Sequence, residues 1–159
     1  MFKIEVVAIG RLYKEFLKSG EGEYLRRISP YYDLKIVELP EEKEKGTHEG
    51  DILRTITTEG QSILKYLEKQ KLPVFALAIE GTAVSSESFA KLLSDSALTV
   101  PGCIFVIGGS NGLSETVKQR ANRLISFSDL TFPHQLMRVI LLEQIYRAAT
   151  INNGITYHK

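Results

Sequence analysis

Two rhythms of apolar residues alternate along the chain: short, nearly unbroken β-branched runs, and longer stretches with an apolar residue every third or fourth position. The first run, Lys3–Ile9 (KIEVVAI), reads as a strand closed by Gly10. Residues 11–28 carry Leu12, Phe16, Tyr24 and Leu25 at roughly helical spacing, with Gly20 and Gly22 as candidate break points, and Ser29-Pro30 stops the helix. Residues 34–39 (LKIVEL) form a second strand. Residues 41–50 (EEKEKGTHEG) hold no core anchor and read as a solvated loop, the functional alternative being a lid or an RNA-contacting loop. A helix over 51–70 follows, capped by Asp51, with Ile52, Ile56, Ile63, Leu64 and Leu67 on one stripe.

From Pro73 the runs become more apolar. Residues 74–79 (VFALAI) read as a strand covered on both faces and ended by Glu80-Gly81. Ser85 or Ser86 caps a helix bearing Phe89, Leu92 and Leu93, and residues 103–107 (CIFVI) are the next buried strand. Ser114 caps a short helix with Val117, Ala121 and Leu124 on its inner side, residues 124–127 form a fifth strand, and residues 134–150 a last helix with a wide apolar stripe. This alternation specifies an α/β fold: a mainly parallel sheet of five to six strands, flanked by helices through right-handed crossovers, in a single domain over 1–159.

Composition narrows the class without naming it. A chain of 159 residues with 43% hydrophobic side chains suits one core. No signal peptide or membrane span is expected, since Lys3 and Glu5 interrupt the start and no apolar run approaches about 18 residues. The lone Cys103 cannot form an internal disulfide, fits a reduced cytoplasm and reads as buried filler rather than a nucleophile. Residues 1–72 carry 13 basic and 13 acidic side chains and residues 73–159 carry 7 and 6. Neither half has the excess of a free-standing nucleic-acid binder, so an RNA partner must be held by geometry, by a second subunit or by an assembled particle. His48 has no second ligand type at metal spacing, and no metal is expected.

Two loops carry the candidate chemistry. Gly108-Gly109-Ser110-Asn111-Gly112 follows a buried strand and precedes a helix, where backbone can approach a ligand closely. It matches neither G-x-G-x-x-G nor a P-loop, and a tight structural turn explains it equally well. The second loop, Ser128-Asp129-Leu130-Thr131-Phe132-Pro133, sets apolar residues between polar ones. A flat apolar ligand such as adenine would explain them, with Leu77, Leu130 and Phe132 as walls and backbone groups reading its edge; the alternative is that these residues plug the core. His134 reads as a cap for the last helix rather than a catalytic group.

At these residues the chain resembles the SPOUT class of methyltransferases and, within it, the RlmH family acting on large-subunit ribosomal RNA. The resemblance rests on Phe105-Val-Ile-Gly-Gly-Ser-Asn-Gly-Leu113, Leu130-Thr-Phe-Pro-His-Gln-Leu-Met-Arg138, Glu143-Gln-Ile-Tyr-Arg-Ala148 and Tyr157-His-Lys159, and it spans the full chain. It implies an α/β knot, with the C-terminal segment threaded into a deep trefoil, and S-adenosylmethionine as cofactor. By motif match the cofactor contacts fall on Leu77, Gly108, Gly109, Phe127, Ser128, Asp129, Leu130, Thr131 and Phe132. It further implies a homodimer that methylates N3 of a pseudouridine in a stem-loop of large-subunit rRNA on the assembled ribosome.

Such a transfer needs the nucleophilic nitrogen placed in line with the methyl group and a group to manage the N3 proton. Under the resemblance, Tyr157 orients the target base, His158 takes or relays the proton, and Arg138 holds RNA phosphate or the anionic ring. In a dimer the tail reaches the partner's cofactor. The rival classes are a non-enzymatic ribosome-associated docking factor and an α/β nucleotide enzyme of other chemistry.

Overall fold

In the computed structural model, which describes residues 1–159, the apolar runs become strands and the amphipathic stretches become helices in strict alternation. The order is β1 (Lys3–Ile9), α1 (Glu15–Ile28), β2 (Asp33–Leu39), α2 (Glu49–Leu67), β3 (Val74–Ala83), α3 (Ser86–Thr99), β4 (Gly102–Ile107), α4 (Glu115–Arg120), β5 (Arg123–Ser126) and α5 (His134–Asn152). Five strands form one all-parallel sheet in the order β2-β1-β4-β3-β5.

Period-two alternation sorts the strand side chains onto two cores. Ile4, Val6, Cys103, Phe105 and Ile107 face one side, where α3 supplies Phe89 and Leu93 and α5 supplies Leu141, Leu142, Ile145 and Ala148. Val7, Ile9, Ile104 and Val106 face the other, covered by Ile63 and Leu67 of α2 and Val117 of α4. Both faces of the sheet are therefore buried, which is why β4 contains no polar residue at all. No helix is long and apolar enough to cross a membrane.

Several boundaries differ from the sequence reading, each for a local reason. Helix α1 begins at Glu15 rather than at residue 11, with Leu12 buried ahead of it. Phe16, expected on the inner stripe, is 70% exposed, and Leu17 takes the inward position. Gly20 does not break α1; a Cβ there would stand 3.1 Å from Val139 Cγ1, so the glycine lets α5 pack close. Helix α2 starts at Glu49, and Asp51 is a first-turn acid favoured by the helix dipole, not the cap. Ala121 ends α4, and Leu124 belongs to β5. Of the two serines before α3, Ser85 is the cap, closing a reciprocal capping box with Ser88.

Strand β3 holds the most consequential difference. It does not end at Glu80-Gly81: Leu77 pairs with Ile125, the chain bulges, and Thr82 pairs with Ile125 again. A Cβ on Gly81 would lie 2.7 Å from the backbone of Leu124 and Ile125, so Gly81 is where the bulge returns onto β5. The bulged residues then face outward at the carboxyl end of the sheet.

Candidate functional site

Strands β4 and β5 are not neighbours, because β3 runs between them. The bends that follow them nevertheless close over the bulge of β3 and enclose a cavity of about 270 Å³. Its floor is Leu77 to Glu80, one wall is Gly108 to Leu113, and the other is Ser126 to Ser128 with Leu130, Thr131 and Phe132; His134 and Met137 of α5 close the back. Eight of the nine residues singled out for a cofactor line this space; Asp129, in the same bend, is exposed and does not.

The glycine wall is made by backbone. A Cβ on Gly108 would sit 2.7 Å from the carbonyl of Gly112, so this turn closes only with glycine there. The Gly112 N–H donates to the Gly109 carbonyl at 3.0 Å, and Gly112 has φ of +86°. The opposite bend is shaped by its own side chains: Ser126 Oγ donates to the Ser128 carbonyl at 3.1 Å, and the Leu130 N–H donates to Ser128 Oγ at 3.0 Å. This leaves Leu130 68% exposed at the mouth, an apolar group spent on the cleft rather than on the core.

Charged groups sit at the rim. Glu80 and Lys118 form an ion pair that holds the carboxyl below its usual range and the ammonium above its own. His134 carries no capping bond for α5; its Nε2 lies 3.4 Å from Glu41 Oε1 without hydrogen-bond alignment. Burial lowers its pKa, so the imidazole is neutral at pH 7 and the contact is not an ion pair. The cap role assigned from sequence is thus replaced by a place in the cleft.

Residues 41–44 are exposed in part yet held, unlike the free loop that their composition suggests. Glu44 Oε1 accepts from Ser110 Oγ at 3.1 Å and from Asn111 Nδ2 at 2.8 Å. The Glu42 N–H donates to Glu59 Oε2 at 3.1 Å. The segment is a strap joining the glycine wall to α2 and running beside His134.

The tail forms a second cluster, at the far end of α5. Tyr157 donates its hydroxyl to Glu143 Oε1 at 3.0 Å, and Arg147 lies 4.7 Å from the Tyr157 ring while its Nε donates to the same Glu143 oxygen at 3.0 Å. His158 Nδ1 is 3.2 Å from Arg147 Nη1, and its Nε2 is 2.8 Å from Glu87 Oε1. Guanidinium only donates, so Nδ1 accepts and the ring proton sits on Nε2, directed at Glu87. Both nitrogens of His158 are engaged. Sequence reasoning missed Glu87, Glu143 and Arg147 as partners of the tail. The i, i+4 spacing of Glu143 and Arg147 was the available signal.

Arg138 does not join either cluster. It is 1% exposed, and its guanidinium donates to Glu38 at 2.7 Å, to Glu21 at 3.2 Å and to the Gly10 carbonyl at 2.8 Å. Its charge is matched inside the chain, where it ties α5 to α1, β2 and the end of β1; no face of it meets solvent, so the expected contact with RNA phosphate is not available. Cys103 is fully buried, with its thiol pushed up to about 12, which removes it as a nucleophile. No group of three or more His, Cys, Asp or Glu is placed to hold a metal ion.

The family model described as "Predicted SPOUT methyltransferase" matches residues 2–158. The protein named ribosomal RNA large subunit methyltransferase H of Bacillus cytotoxicus is 48% identical over 158 residues, covering 98% of this chain and 99% of that one. The protein of the same name from Streptococcus pneumoniae is 45% identical over 159 residues, covering 99% of each. Among solved structures, a probable methylase family protein from Haemophilus influenzae Rd KW20 aligns with a TM-score of 0.56 at 13% identity, over 98% of this chain and 70% of that one. A probable methyltransferase from Bordetella pertussis Tohama I aligns at 0.55 and 12%, over 93% and 95%. At such identities these two structures speak for the fold alone.

Proposed function

Since the chain belongs to the SPOUT methyltransferase family, we propose that it is an S-adenosylmethionine-dependent ribosomal RNA methyltransferase. Its target is N3 of a pseudouridine in a stem-loop of large-subunit rRNA, met on the assembled ribosome by a homodimer carrying the threaded C-terminal knot of that family. The observation that carries the donor half of this reading is the cavity at the ends of β3, β4 and β5, where two bends offer main-chain edges between the aliphatic and aromatic walls of Leu77, Leu113, Leu130 and Phe132. Those walls fit an adenine face.

S-adenosylmethionine, when bound, supplies a methyl group activated by its sulfonium. The chain's part is placement: Leu77, Gly108, Gly109 and the bend from Phe127 to Phe132 hold the donor over the floor made by the β3 bulge. The tail manages the target base, with Tyr157 orienting the ring and His158 relaying the N3 proton. In the docked tail neither is free, because Arg147 covers the Tyr157 ring and both His158 nitrogens are bonded. The tail also lies far from its own cleft: thirteen residues of α5 separate His134 from Arg147, about 20 Å at 1.5 Å per residue. That separation supports a site completed by the tail of a second copy, released from Glu87 and Arg147 as RNA enters.

Calorimetry with S-adenosylmethionine and its demethylated product tests the donor half. Mass spectrometry of rRNA from cells with and without this chain tests the target. A docking factor would bind neither compound and leave rRNA unchanged.

A further inference from the structure

We propose that Glu59 is a positioning residue for the methyl donor, one carboxyl group that sets the glycine wall of the cleft and the 41–44 strap against each other. This rests on the donor reading above and deepens it. Glu59 lies on the inner face of α2 and is 4% exposed. Its Oε2 takes the Glu42 N–H of the strap at 3.1 Å. Its Oε1 is buried without any partner. The carboxyl also lies against the donor loop: a Cβ on Gly109 would stand 2.6 Å from Oε1 and 3.1 Å from Oε2. One side chain thus touches the strap and the Gly108–Gly109 bend at once, while the strap grips the next two loop residues, Ser110 and Asn111, through Glu44.

A buried oxygen left unpaired is costly, and the group beside it that can move is the loop that lines the cleft. The charged groups acting on Glu59 are Glu41, Glu42 and Glu44, all on the strap and none a cation. Together with burial, the larger cause, they push its pKa up. With one oxygen held by the strap and the other pressed against Gly109, the carboxyl fixes the spacing between strap and loop.

Glu59→Gln keeps shape and the acceptor for the Glu42 N–H; Glu59→Leu keeps volume and removes both polar atoms. Calorimetric titration with S-adenosylmethionine, with thermal midpoints as a fold control, separates them. Glu59→Gln should bind within about twofold of wild type, and folded Glu59→Leu should bind at least tenfold more weakly. Unchanged affinity in a folded Glu59→Leu, or an equal loss in Glu59→Gln and Glu59→Leu, overturns the proposal. If wild type binds no S-adenosylmethionine, the donor reading fails by itself. Amide exchange at residues 109–113 in the ligand-free protein then decides the tie between Glu59 and the loop: it should rise at least tenfold in Glu59→Leu and stay near wild type in Glu59→Gln, and equal exchange in all three overturns it.

Discussion

The two ends of α5 carry two differently built regions. At its start, a cleft is defined by main chain: Gly108 turns under Gly112, Gly81 returns β3 onto β5, and the walls are aliphatic. At its far end, Glu143, Arg147, Tyr157, His158 and Glu87 form a closed knot of charged and aromatic side chains. The first is an open cleft lined by main chain; the second has satisfied its own groups, and under the proposed function it must open before it acts. A transferase needs both properties, a rigid seat for the donor and a mobile group that meets the acceptor only when the acceptor is present.

Removing the proposed proton relay from one region should separate the two most sharply. His158→Ala takes away a ring that touches no residue of the cleft, so methyl transfer to ribosomes should fall about 10²- to 10⁴-fold, the usual worth of a proton-relay group. S-adenosylmethionine affinity should stay within about twofold. Undiminished turnover would take His158 out of the chemistry and leave the tail as packing.

Arg138 connects the regions instead of belonging to either. Arg138→Met leaves Glu38 and Glu21 without their cation, but those carboxylates are 39% and 22% exposed and part of their charge returns to water. The loss should lie near the low end for a broken buried pair, about 3 kcal/mol by denaturant unfolding. Donor affinity and tail docking should weaken together, since α5 would shift as a unit. Weakening of one alone would contradict the linkage.

Gly108→Ala addresses the cleft only. Its Cβ meets backbone, which cannot rotate aside, so the Gly108–Gly112 turn must open. Donor affinity should drop roughly ten- to a hundredfold, equivalent to about 1–3 kcal/mol of distortion, with the contacts among Glu143, Arg147 and Tyr157 unchanged by NMR. Full affinity in this variant would show that the donor does not use the glycine wall.

These contrasts also explain what could be read from the sequence. Unbroken runs such as CIFVI announce strands buried on both faces, and the apolar Leu130 and Phe132 between polar neighbours pointed to the second wall, with core plugging as the alternative. The resemblance in the stretches around Gly108, Phe132 and Tyr157 supplied the class of reaction. Partners distant in sequence were not legible. Arg138 and Glu38 are 100 positions apart and His158 and Glu87 are 71 apart, and no periodicity encodes such pairs. Glu80-Gly81 looked like a stop because a glycine that ends a strand and one that lets a bulge return onto its neighbour read alike. Glu59 left a usable signal: it stands on the same stripe as Ile52, Ile56 and Ile63, a carboxylate where the helix turns inward.

The smallest effect tests whether the tail is docked at all in the free protein. Burial first, and then its bond to Glu143, raise the Tyr157 phenol from 10.0 to about 12. A folded state that holds a proton more tightly than the unfolded chain gains stability that is full below the unfolded pKa. That gain disappears as pH rises through the folded value, so it is complete below about pH 10 and lost toward about 12. Tyr157→Phe keeps the ring against Tyr146 and Arg147 but has no proton to lose. Its thermal midpoint should be slightly lower near neutral pH, by about the 0.5–1.5 kcal/mol of one hydrogen bond. It should then fall less steeply than wild type above about pH 10, while Tyr66 and Cys103, raised in both proteins, cancel in the difference. Parallel alkaline limbs would mean that the tail is already free, and the closed cluster at the end of α5 would no longer distinguish it from the cleft.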